Sequence, residues 1–138
     1  MNNHTEKLCN LLMLSLALLI LTCTHRQLDI LKVENQCVNA DSIISFNKHL
    51  LPIFSTNCAL PNCHSGSNPS GNLNLESAQA YSKLNKKGKG YLDTINPTSS
   101  VLLSSLNSAS NPMPPNGKLD MCTITLVKNW MKQGAKNN

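Results

Sequence analysis

Apolar positions in this 138-residue chain follow two different patterns. Over residues 11–21 they are almost unbroken (LLMLSLALLIL), a run too short to cross a bilayer but suited to the centre of a secretory signal. Beyond residue 40 they recur at helical spacing. Phe46, Leu50, Ile53 and Phe54 stand at i, i+4, i+7 and i+8 and form one apolar helix face. Pro52 fits only a first helical turn, so the spacing predicts a helix with a kink or restart at Pro52, running into Cys58. Leu75, Ala78, Tyr81 and Leu84 predict a short helix over 76–84, and the apolar residues of 99–106 predict a second. The last helix, over 121–133, is the best marked. Asp120 is a good N-cap, Ile124, Val127 and Met131 share a face beside Trp130, and Gly134 is the stop. Lys128 and Lys132 lie at the end where the helix dipole prefers positive charge. No stretch alternates long enough for a sheet; 91–95 alone is open between strand and loop. The expectation is an all-α fold of about four short helices joined by long loops.

The same pattern divides the chain. Residues 1–22 read as a signal peptide, 23–40 as a tether of mixed charge and no sustained period, and 41–138 as the domain. Ile20-Leu21-Thr22-Cys23 resembles the lipobox of bacterial lipoproteins, which would make Cys23 a lipidated mature N-terminus. Thr22 departs from the small residue usual before that cysteine. An ordinary cleaved signal or an uncleaved anchor would equally export the domain, into a compartment where disulfides persist.

Composition narrows the function. Hydrophobic content is 41% but aromatics are only 4%, namely Phe46, Phe54, Tyr81, Tyr91 and Trp130. A domain of about 100 residues with so few large side chains gains from a cofactor or a disulfide. Net charge is +5, with one cluster at Lys83, Lys86, Lys87 and Lys89, broken by Gly88 and Gly90. With a single arginine, Arg26, and no interleaved aromatics, this is a solvated loop rather than a nucleic-acid surface.

The chemistry gathers at Cys58-Ala59-Leu60-Pro61-Asn62-Cys63-His64. Two thiols and an imidazole within one short segment meet the needs of covalent haem attachment: the thiols add to two vinyl groups and the adjoining histidine binds iron. The usual spacing is C-x-x-C-H; here two more residues separate the cysteines, and the Cys-His adjacency that aims the imidazole is kept. A small disulfide loop followed by histidine gives the same letters. Three zinc ligands this close would have poor tetrahedral geometry. Later, Pro112, Pro114 and Pro115 hold Met113 on an extended, non-helical loop. A stiffly held thioether suits the opposite axial position of an iron, where soft sulfur favours the ferrous state.

In order, these parts resemble the single-haem c-type cytochrome domain, in the planctomycete-type branch also seen in exported bacterial lipoproteins. The residues that carry the resemblance are Leu51-Pro52-Ile53, Cys58, Cys63-His64, Met113-Pro114-Pro115, Leu119, Trp130 and Gly134-Ala135, which span residues 43–135. It implies one haem c bound through Cys58 and Cys63, with His64 and Met113 as axial ligands, and the first and last helices crossing near one haem edge. With those cysteines assigned to haem, Cys9 in the leader and Cys23 to lipid, Cys37 and Cys122 are left as candidate disulfide partners. Connectivity stays open, including a haem-free Cys58–Cys63 bridge.

The implied function is an electron carrier rather than an enzyme, working with redox partner proteins and held to the membrane by an N-terminal lipid. Its expected location is the cell envelope, as a periplasmic or outer-membrane lipoprotein. Lys83, Lys86, Lys87 and Lys118 offer a basic face to acidic partners. No Ser-His-Asp set, carboxylate pair beside the cysteines or phosphate loop suggests catalysis. Two other readings remain: a disulfide-stabilised exported lipoprotein without haem, serving as an interaction or structural module, and a haem protein with an open site for gas or peroxide.

Overall fold

Cys37 and residues 42–138 are described in the computed structural model of the chain. The signal peptide, Cys23 and the tether apart from Cys37 lie outside the described residues.

Over the described residues 42–138, four α-helices follow in order: α1 (Leu51–Asn57), α2 (Ala80–Leu84), α3 (Val101–Asn107) and α4 (Met121–Lys132). Helix α1 is preceded by a π-helical turn, Phe46–Leu50, and Pro52 sits in the first turn after it. The predicted restart at Pro52 therefore takes the form of a change in helical winding. A proline there removes no needed donor, and the wider turn before it still delivers Phe46, Leu50 and Phe54 to the core. Among the described residues there is no strand, so the domain they form is all-α and 91–95 is loop.

Side-chain oxygens start the later helices. Ser100, itself buried, caps α3 by accepting from the Leu103 amide at 3.2 Å. Asp120 caps α4, accepting the Thr123 amide at 2.9 Å and the Thr123 hydroxyl at 2.6 Å. Gly134, at φ +92°, ends α4 in the left-handed region where a side chain is strained. Helix α2 begins later than the predicted 76–84. The Glu76 carbonyl first closes a turn by accepting from both the Gln79 and Ala80 amides, each at 2.8 Å. Ala80 and Leu84 consequently face inward, and Ala78, which the 76–84 register would bury, is exposed.

The core concentrates the scarce aromatics. The Phe46 ring centroid lies 5.2 Å from Tyr81, 5.4 Å from Trp130 and 6.1 Å from Phe54, the spacing of favourable tilted and edge-on ring pairs. Buried polar tips find partners in the segment after α4: Trp130 Nε1–H donates to the Lys136 carbonyl at 2.9 Å and the Tyr81 hydroxyl to the Ala135 carbonyl at 3.0 Å. The same segment holds the start of the domain. Ser45 Oγ–H and the Asn47 amide both donate to the Asn138 carbonyl, while Gln133 bridges the Ile44 amide and the Ser42 carbonyl. At the other end of α4, Cys122 is joined to Cys37 by a disulfide across 85 residues of chain.

Candidate functional site

Helix α1 ends by handing over the first thiol. The Phe54 carbonyl accepts from both the Cys58 and Ala59 amides, at 2.9 and 2.8 Å, so the chain leaves the helix tightly at Cys58. The residues between the cysteines form a β-turn, closed by the Cys63 amide on the Leu60 carbonyl at 3.0 Å. Pro61 fills the second position and Asn62, at φ +65°, the third, the residue types that a turn of type II favours there. The His64 amide then donates to the Cys58 carbonyl at 3.0 Å and closes the whole segment. Two extra residues are thus absorbed in one turn, and Cys63 is brought back to Cys58.

Both thiols are free and half-buried. Burial, and then the nearby Cys63 sulfur, push the Cys58 thiol from an ordinary 9.0 up to about 11. At neutral pH the Cys58 sulfur keeps its proton.

His64 is oriented by the segment before α2. Its Nδ1 lies 3.1 Å from the Leu73 carbonyl, and a carbonyl can only accept, so this contact places the proton on Nδ1 and leaves the lone pair on Nε2. An imidazole that binds a metal through Nε2 needs that tautomer. The His64 carbonyl in turn accepts from the Leu75 amide at 2.8 Å, and the Cys63 carbonyl from the Ser70 amide at 2.8 Å. By contrast, the other described histidine, His49, uses Nδ1 to accept the Ser45 amide at 2.9 Å within the π-helical turn.

Met113 is placed independently of this turn. Its amide donates to the Ser105 carbonyl near the end of α3 at 3.0 Å, and the peptide bond to Pro114 is cis. Its side chain is 40% exposed, as is Leu60 between the cysteines at 41%. A thioether held on a proline-bounded loop yet left accessible is available as a ligand rather than used as core filler.

The fold brings Cys58, Cys63 and His64 together and carries Met113 on a separate arm fixed to α3. Residues 61–117, which include Cys63, His64 and Met113, match the family model described as Planctomycete cytochrome C. That match, over 57 of the 138 residues, supports a cytochrome c-like domain. No curated protein and no solved structure matches it. In this cytochrome c-like domain the Cys37–Cys122 bridge lies outside the matched stretch, at the start of α4. The family points to haem and to electron transfer as its general business. Among the described residues no helix is long and apolar enough to cross a membrane.

Reading the letters alone missed two features of the site. One is the Leu60-Pro61-Asn62-Cys63 turn, for which the Pro-Asn pair was a legible signal. The other is the segment 73–75, whose backbone grips His64; Leu75 reads only as part of a helix face, and nothing local marks Leu73 as the partner of a histidine nine residues away.

Proposed function

We propose that this chain is an exported electron-transfer protein carrying one covalently attached haem c. The observation that supports this best is the state of the Cys58–His64 segment: two free thiols in one backbone-closed turn, followed directly by a histidine whose Nδ1 is occupied and whose Nε2 is left with its lone pair. That donor set fits haem. Cys58 and Cys63 would hold it through thioether sulfurs, and His64, through Nε2, and Met113 would be the residues that bind its iron. The bound group would supply one-electron chemistry between ferric and ferrous iron.

The chain's own residues tune that chemistry. The Leu73 carbonyl fixes the imidazole tautomer and makes Nε2 a stronger donor. As a ligand, the Met113 thioether would favour the ferrous state, and the 3.0 Å bond from its amide to the Ser105 carbonyl ties that arm to α3. Lipid on Cys23 would tether the domain to the cell envelope, where redox partner proteins would reach it. The exposed lysines Lys86, Lys87 and Lys118 would favour acidic partners at low salt.

The test is spectroscopic. Full-length protein made in a host competent for c-type maturation is expected to show a reduced-minus-oxidised c-type haem spectrum and a haem-staining band after denaturing electrophoresis. A colourless, stably folded protein with no such band would contradict the proposal and leave a disulfide-stabilised module.

A further inference from the structure

One buried polar side chain beside the site is used neither by the proposed ligand set nor by the core. Asn74 is 4% exposed, between two buried leucines, Leu73 and Leu75. Its Nδ2 donates to the Gly66 carbonyl at 3.0 Å and to Glu76 Oε2 at 2.8 Å, and its Oδ1 accepts the Glu76 amide at 2.8 Å. A backbone amide can only donate, so the network itself fixes which end of the side chain is oxygen. On either side of Asn74 the backbone holds His64: the Leu73 carbonyl takes Nδ1, and the Leu75 amide takes the His64 carbonyl. Three consecutive residues therefore grip the imidazole, the backbone of His64 and the loop just beyond it. Gly66, at φ +77°, has no atom within 4 Å of where a Cβ would stand. There is open space on that side of Gly66, and the Asn74 amide ties its carbonyl to segment 73–75.

We propose that Asn74 is a positioning residue for His64, locking segment 73–75 across the 63–66 loop so that the Leu73 carbonyl stays on Nδ1. This rests on the haem reading above. With the lock removed, the Nδ1–H···O bond loosens and Nε2 becomes a weaker donor. Ferric iron then loses more stabilisation than ferrous iron.

The test compares holoprotein carrying Asn74→Leu with wild type. At a fixed ambient potential near the wild-type midpoint, the ferrous-to-ferric ratio is expected to rise about threefold or more, the size of a weakened hydrogen bond. Exchange of the Nδ1 proton with solvent, followed by NMR, is expected to accelerate in parallel. Glu76→Gln keeps an oxygen acceptor for Nδ2 and is expected to behave as wild type on both measures. A core truncation, Leu84→Ala, is expected to lower stability without moving either, which separates positioning from general loosening. A haem-loaded Asn74→Leu protein with wild-type potential and proton exchange overturns the proposal and leaves the haem reading intact, whereas haem-free wild type overturns the haem reading itself. If Asn74→Leu does not fold, exchange in wild-type holoprotein decides. The Glu76 and Leu75 amides are expected to open together, and rates differing by more than about tenfold would show that segment 73–75 is not one unit.

Discussion

His64 shows how much a single side chain can say. Its place next to Cys63 was legible in the chain, because attachment chemistry demands adjacency. Its tautomer was not legible, because the Leu73 carbonyl that sets it arrives through a fold around Ser70–Asn72. Cys58 carries a separate consequence. Its thiol is raised to about 11, so the folded, haem-free chain holds that proton more tightly than the unfolded chain does. This contribution to stability is complete below the ordinary thiol range and is lost as pH rises through about 11. The urea midpoint of haem-free protein should fall between pH 9 and 11 by more than that of Cys58→Ala, and parallel pH profiles would contradict this. In the holoprotein, Met113→Ala should keep covalent haem and change both ferric and ferrous spectra. Unchanged spectra would mean that Met113 is not a ligand and would favour an open site for gas or peroxide.

Helices were read well where polar caps announced them and less well where tertiary contacts set the start. Asp120 and Gly134 mark α4 by their own chemistry, and the helix lies between them. Helix α2 has no side-chain cap, and the turn at Glu76 moved its inward face from Ala78 to Ala80. The Asp120 carboxyl is held below its ordinary range by its bond to Thr123. Its support for α4 is present above the ordinary carboxylate pKa and lost as pH falls through the lowered one. Asp120→Ala should therefore lower the melting temperature at neutral pH and narrow its acid dependence; equal melting curves at both pH values would argue against the cap. The Cys37–Cys122 bridge fixes the other side of that start. On the chain-entropy model, closing 85 residues contributes about 4–5 kcal/mol. Cys122→Ser should show a loss of several kcal/mol by urea unfolding, whereas a loss below about 1 kcal/mol would mean that the bridge constrains little.

For the domain as one body, the periodic apolar residues located the core but not its closure. Phe46, Leu50, Phe54, Val127 and Trp130 were all on readable faces, and all are buried. That residues after Gly134 return to satisfy Trp130 and Tyr81, and to bind the Ser45 hydroxyl and the Phe46 and Asn47 amides, follows from no local pattern. Trp130→Ala should cost about 3–5 kcal/mol, since it empties the centre of the aromatic cluster. These helices set two thiols and an oriented imidazole in one short segment, and the haem proposed for it can be weighed directly. Intact mass of exported, matured protein, followed by peptide mapping, should show one haem bonded to the peptide that contains Cys58 and Cys63. A mass accounted for by polypeptide and lipid alone, with nothing bonded to that peptide, would contradict the central claim.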